Sequence, residues 1–220
     1  YDLGRQPFGL ASAAAWLSEA GAKVCCLDLA VEGFDEEAVA QASLIAIHVP
    51  MHTATRLACA LLPQLRAINP RMHVCLFGLY APLNDQRLRA LGATSVIGGE
   101  VETELVALYR RVDAEQCESN YEAAEVFLLK QQFRVPDRSA LPDLGHYAKL
   151  MTLDGSLTAG YTEASRGCKH LCRHCPIPPV YDGQFRVVQV DVVLEDIRRQ
   201  VADGARHITF GDPDFFNGVG

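Results

Sequence analysis

The stretch R-G-C-K-H-L-C-R-H-C, residues 166–175, decides how the rest of the chain is read. Cys168, Cys172 and Cys175 stand at C-x3-C-x2-C spacing, three thiols on one short loop. Soft sulfur donors this close together can converge on one face of an iron–sulfur cluster. No cysteine follows Cys175, so a four-iron cluster held here is expected to keep one iron open. An open metal position is where a small molecule is bound and activated, as at catalytic zinc. The alternative is a zinc loop with His170 or His174 as fourth ligand. Zinc loops usually pair two such halves, and the sequence shows no second half. Arg166, Lys169 and Arg173 place positive charge around the thiols, which is expected to lower their pKa.

Upstream, residues 149–153 and 157–163 flank Asp154-Gly155, a hairpin signal. The second strand of that pair is expected to end at Ser165 and deliver the cysteine loop. Downstream, P-I-P-P (176–179) stiffens the exit and residues 181–186 read as a turn. Residues 191–203 carry Val192, Ile197 and Val201 near helical spacing, with Gly204 as a stop. Residues 207–210 read as a strand, and G-D-P-D-F-F-N (211–217) lies at its carboxyl end.

The wider run Y-T-E-A-S-R-G-C-K-H-L-C-R-H-C-P-I-P (161–178) resembles the signature of the radical S-adenosylmethionine superfamily. Family members often carry an aromatic residue just before the third cysteine, where this chain has His174. The resemblance implies that Cys168, Cys172 and Cys175 hold a 4Fe–4S cluster whose open iron takes the amino and carboxylate groups of S-adenosyl-L-methionine. It implies a (β/α) barrel, in which reactive groups sit on the loops after the strands. It also implies S-adenosylmethionine binding at Gly211, Asp212 and Asp214, with a carboxylate accepting from the ammonium group. A plain turn is the alternative there, since Asp, Pro, Asn and Gly all favour one. The implied partners are a substrate left unassigned and an electron donor such as a flavodoxin or ferredoxin.

The first half alternates helix-like and strand-like runs. Residues 8–20 are Ala-rich with Gly21 as a stop, and 23–29 (K-V-C-C-L-D-L) read as a buried strand. Residues 35–42 read as a helix capped by Asp35, and 43–49 as a strand ended by Pro50. Residues 53–68 read as a helix interrupted or kinked at Pro63. A strand at 73–78, a helix at 83–91 closed by Gly92, a strand at 94–97 and a helix at 102–111 complete the block. This order argues for a parallel sheet covered on both faces, with ligands outside the carboxyl ends of the strands.

That block resembles the cobalamin-binding domain found in front of radical S-adenosylmethionine domains. The matching pieces are V-P-M-H (49–52), F-G-L-Y (77–80) and V-I-G-G-E (96–100). The resemblance implies cobalamin near Met51, Gly78, Gly98 and Gly99. The D-x-H-x-x-G segment that supplies a lower cobalt ligand is absent, so the implied mode has no histidine beneath cobalt. A domain that kept the fold and lost the cofactor is the alternative. His48, inside an apolar strand, reads as a packed core histidine, and His52 as a turn or helix-start residue.

The fold class expected is therefore α/β: a doubly wound Rossmann- or flavodoxin-like sheet followed by the first part of a radical S-adenosylmethionine (β/α) barrel. The division is residues 1–112, a linker and hairpin at 113–160, and a truncated barrel at 161–220. Within the linker, 113–125 is polar and acidic with helical character, and 135–144 is an extended connector with two prolines. The chain begins at Tyr1 and stops after two strands of the barrel, so it is expected to be a piece of a longer protein.

The chain has 220 residues, 49% of them hydrophobic, which allows a sizeable core. No apolar run approaches the ~20 residues of a membrane span, and no secretory leader is recognisable. A net charge of −7 argues against a general nucleic-acid surface. Cys25, Cys26, Cys59 and Cys75 lie in apolar runs as free thiols and Cys117 in a polar one, which suggests a reduced, cytoplasmic protein. The functional expectation is a radical S-adenosylmethionine enzyme. The alternative is a non-catalytic cofactor- or zinc-binding module.

Overall fold

The β2 strand explains the first half of the molecule. In the computed structural model, which describes residues 4–116 and 124–217, β2 (His73–Phe77) buries Val74, Cys75, Leu76 and Phe77 almost completely. A strand covered on both faces reads as a continuous apolar run rather than an alternating one. It lies inside a parallel four-stranded sheet with β1 (Leu44–His48), β3 (Ser95–Gly99) and β4 (Glu125–Phe127), in the order β1-β2-β3-β4. The register pairs Leu44 with His73, Cys75 with Ser95 and Ile97 with Glu125.

Strand alternation sends neighbouring side chains to opposite faces. Val74 and Leu76 pack against α3 (His52–Ile68), through Ala58, Leu62 and Leu65, and against Leu88 of α4 (Asp85–Ala90). Cys75 and Phe77 face α1 (Phe8–Glu19), through Ala13, and α5 (Glu102–Asp113), through Leu105 and Leu108. The doubly wound expectation is met in these two layers. α2 (Glu36–Gln41) is capped as its sequence indicates: the Ala38 N–H donates to Asp35 Oδ1 at 3.0 Å. α1 ends where Gly21 takes φ +91°.

Several local expectations are corrected. Residues 23–29 form no strand, and the run expected to be buried is half-exposed, with Lys23, Cys25 and Leu29 at the surface. α3 runs uninterrupted through Pro63, with Leu62 and Leu65 buried on either side of it. Packing of that apolar face offsets the lost backbone bond. β4 was not expected at all; it comes from the segment read as a linker. Cys117 and most of the helix expected at 113–125 lie outside the described residues.

The second half contains one parallel β–α–β step. β5 (Lys149–Thr152) and β6 (Gly155–Thr162) form the hairpin, but with Thr152 opposite Gly155 the turn falls on Leu153 and Asp154 rather than Asp154-Gly155, and β6 ends at Thr162 rather than Ser165. β6 then pairs in parallel with β9 (His207–Phe210) through α7 (Val190–Ala202). Between them, β7 (Ser165–Gly167) and β8 (Phe185–Val187) make a short antiparallel ladder that brackets the cysteine loop and α6 (Pro178–Tyr181). Residues 181–186, expected as a turn, therefore run into a strand.

Two buried polar networks join the halves. In one, Arg138 donates to both carboxylate oxygens of Asp196 in α7 (2.9 and 3.0 Å), to Gln6 Oε1 and to the Tyr161 carbonyl. The other centres on Arg166. No helix among the described residues is long and apolar enough to cross a membrane.

Candidate functional site

The cysteine loop leaves β7 at Gly167, whose φ of +74° suits glycine. A Cβ there would run into the Gln184 carbonyl, just before the returning strand β8, and the Tyr181 ring. The loop is thus clamped at its base. Cys168 and Cys175 are half-buried and Cys172 is exposed, and all three are free thiols. The His170 N–H donates to Cys168 Sγ at 3.4 Å, and the Cys175 N–H donates to the Cys172 carbonyl at 3.2 Å. Among the described residues, no three His, Cys, Asp or Glu side chains are gathered as ligands of a single metal ion.

The expectation that nearby cations lower the thiol pKa fails at Cys168, whose thiol is pushed up. Burial is the first cause, only partly offset by the His170 N–H, and Asp214 adds to it. The Cys168 thiol donates to Asp214 Oδ2 at 3.3 Å. Arg166 is committed elsewhere, to three carboxylates, and Lys169 lies over the Phe185 ring at 5.7 Å.

Asp214 therefore stands beside the first sulfur of the loop. Asp212 is occupied internally: both its oxygens accept from the Ala164 N–H at 3.1 Å, and it accepts a short hydrogen bond from Ser165 Oγ. It braces the entry to the loop. The Gly211 N–H continues the ladder to the Thr162 carbonyl at 2.9 Å, and its missing side chain leaves room for the Tyr161 ring.

The residues expected near cobalamin lie along the carboxyl ends of β1, β2 and β3. Met51 is half-exposed at the start of α3. The three glycines are shaped by their own neighbours. A Cβ on Gly78 (φ +106°) would meet the His48 ring at 3.0 Å, and one on Gly98 would meet the Pro82 ring at 2.6 Å. A Cβ on Gly99 (φ +75°) would strike the Phe127 carbonyl of β4. His48 stacks on Phe77 with ring centroids 5.1 Å apart. Burial, and then Arg166, holds its pKa down at about 4.

Sequence reading missed the buried charge cluster between the two halves. Arg166 reaches Glu102 Oε1 at 2.6 Å, Glu102 Oε2 at 3.0 Å, Glu100 at 3.3 Å and Glu163 at 3.6 Å. Its guanidinium lies 4.9 Å from the centroid of Phe133. Glu102 also accepts from Ser12 Oγ at 2.7 Å and Gln131 Nε2 at 2.8 Å. Burial alone would raise the Glu102 pKa, but Arg166 and these hydrogen bonds hold it down at about 2. Glu163 goes the other way, to about 7: burial raises it, Arg166 offsets part, and Glu102, Asp212 and Glu100 add to the rise. The available signal was a pair of acids, Glu100 and Glu102, at a strand's carboxyl end and one arginine just before Gly-Cys. On the far side of the loop α6 packs on β3, and Tyr181 Oη lies 3.5 Å from the Gly99 carbonyl.

No family model matches the chain. In sequence, the chain is 25% identical over 119 residues to the ribosomal protein uS12 methylthiotransferase RimO of Helicobacter acinonychis (strain Sheeba), covering 54% of this chain and 26% of that protein. It is 25% identical over 133 residues to RimO of Helicobacter pylori (strain HPAG1), covering 58% and 29%. In structure, it resembles the radical S-adenosylmethionine methyltransferase TsrM of Kitasatospora setae, solved with tryptophan substrate and an S-adenosylmethionine analogue. The TM-score is 0.71 at 16% identity, over 98% of this chain and 46% of that one. TsrM with cobalamin and a 4Fe–4S cluster bound gives a TM-score of 0.70 at 16% identity, over 96% and 46%. The chain is thus similar in sequence to a methylthiotransferase and in fold to a radical S-adenosylmethionine methyltransferase.

The structural likeness concerns the fold, an α/β arrangement with a four-stranded parallel sheet. The chain spans less than a third of the length of the curated relatives and about half of the solved chains.

Proposed function

We propose that the chain is the front part of a radical S-adenosylmethionine enzyme that moves a one-carbon group, with cobalamin held by the doubly wound block. The observation that carries this reading is the position of the cysteine loop. Its first sulfur sits beside Asp214 at the carboxyl end of the β6–α7–β9 step, while its exit helix α6 packs on the carboxyl end of β3. Ligands of both halves are expected at these strand ends. The transfer of methyl or methylthio groups in the names of TsrM and RimO supports the one-carbon reading.

The donor set fits the implied group. Three free thiols lie on one loop, and a backbone N–H already points at one sulfur, a contact that tunes such clusters. Cys168, Cys172 and Cys175 would hold a 4Fe–4S cluster, Asp214 and Gly211 would border S-adenosylmethionine, and Met51, Gly78, Gly98 and Gly99 would border cobalamin. A reduced cluster, when bound, supplies the electron that cleaves S-adenosylmethionine to methionine and a 5′-deoxyadenosyl radical. The chain's own residues do the positioning. Asp212 ties Ser165 and Ala164 to the end of β9, and Asp214 accepts the hydrogen bond of the Cys168 thiol, whose proton would have to leave for the sulfur to act as a ligand. A small one-electron carrier, a flavodoxin or ferredoxin, would be the partner.

The test is oxygen-free incubation of the full-length protein with S-adenosylmethionine and a strong reductant. Consumption of S-adenosylmethionine that disappears in Cys172→Ala supports the reading. Its survival with the wild-type protein contradicts it.

A further inference from the structure

We infer that Arg166 is a positioning residue that sets the first cluster sulfur against the strand ends of the doubly wound block, through its bidentate grip on Glu102. This deepens the proposed function and rests on the reading that the three cysteines hold a cluster. The geometry is specific to this arginine. Its guanidinium is almost out of water, 12% exposed, and spans Glu102 with two contacts of 2.6 and 3.0 Å. Glu102 opens α5, directly after the carboxyl end of β3. On the other side, one residue separates Arg166 from Cys168. That residue is Gly167, clamped against the Gln184 carbonyl and paired with Phe185 in the β7–β8 ladder. A shift of the guanidinium therefore has little slack to absorb it before it reaches the sulfur. Planar two-point binding of a carboxylate fixes orientation as well as distance, which lysine cannot reproduce.

Ser12 and Gln131 hold the other side of Glu102, so the carboxylate is itself fixed before Arg166 docks. The Arg138–Asp196 pair provides a built-in control. It is about as buried and also bidentate, and Arg138 reaches the first half through Gln6 without touching the cysteine loop.

The experiment compares Glu102→Gln, Arg166→Lys and Ser12→Ala with Arg138→Lys, first in the iron-free full-length protein. Alkylation of each thiol by iodoacetamide is followed by peptide mapping, with circular dichroism to confirm folding. Cys168 alkylation is expected to rise at least about fivefold in Glu102→Gln and Arg166→Lys, as local opening frees the loop base. Exposed Cys172 is expected to change little, and Arg138→Lys is expected to leave Cys168 alone. Ser12→Ala, the mildest change, keeps the test open if the other two variants fail to fold, and a smaller rise in the same direction is expected. After reconstitution, the electron paramagnetic resonance signal of the reduced cluster is expected to lose its response to S-adenosylmethionine in Arg166→Lys. Unchanged Cys168 alkylation in folded variants, or an equal rise in Arg138→Lys, overturns the proposal. Failure to bind iron with the alkylation pattern as expected would instead contradict the cluster reading alone.

Discussion

Arg166 and Glu102, 64 residues apart in sequence, meet at 2.6 Å with the carboxylate only 2% exposed. Removing one partner of such a pair strands the other charge in a medium that solvates it poorly. Glu102→Ala is expected to cost about 3–5 kcal/mol. It should appear as a lower urea midpoint with an unchanged denaturant slope. Glu102→Gln, which keeps the acceptor oxygen and the Ser12 contact, is expected to cost less.

Gly99 offers a sharper test of what the strand-end glycines do. Its φ of +75° strains any other residue, by about 1–3 kcal/mol. A Cβ there would also collide with the Phe127 carbonyl, which accepts the Glu100 N–H at 2.7 Å. Gly99→Ala is expected to lower the melting temperature without any added cofactor. Hydrogen exchange should rise at Glu100, whose N–H bonds to that carbonyl. A variant as stable as the wild type would show that Gly99 serves something other than the β3–β4 contact.

Much of this architecture was legible. Asp35 before Glu36 and Glu37 marked a helix start because its carboxylate has a local amide to bind. The apolar runs at 43–49 and 73–78 marked strands of the parallel sheet, and the inner one, β2, needs apolar cover on both faces. The C-x3-C-x2-C loop named its own donors. What escaped was set by long-range pairing. β4, β7 and β8 are three-residue strands, too short to show a period, and exist only because a neighbour offers a ladder. Residues 23–29 had the composition of a strand but no described partner. The Arg166 cluster was invisible because a lone arginine beside a cysteine motif reads as local charge, and nothing in the spacing points to Glu102.

Glu163 gives the chain a defined pH signature. Its carboxyl is held near 7 in the folded state, by burial first and then by Glu102, Asp212 and Glu100 against the opposing Arg166, with Tyr161 also beside it. The folded state therefore binds a proton that the unfolded chain releases at about 4.5, and stability contributed by Glu163 falls as pH rises from about 4.5 through about 7. Glu102 has the opposite sign: its contribution is present above about 4.5 and lost as pH falls towards about 2. His48 and His73, both held down at about 4 by burial, also favour higher pH. They cancel when wild type is compared with Glu163→Gln. The variant is expected to gain stability relative to wild type between about pH 4.5 and 7. Chemical melts at closely spaced pH values measure it, and a pH-independent difference would contradict the assignment.

The most direct test of the whole account is a count of iron and sulfide. After anaerobic reconstitution of the full-length protein, about four irons and four sulfides per chain are expected, with brown colour that Cys168→Ala, Cys172→Ala or Cys175→Ala each abolishes. One zinc per chain without colour, or no metal uptake by a folded protein, would contradict it.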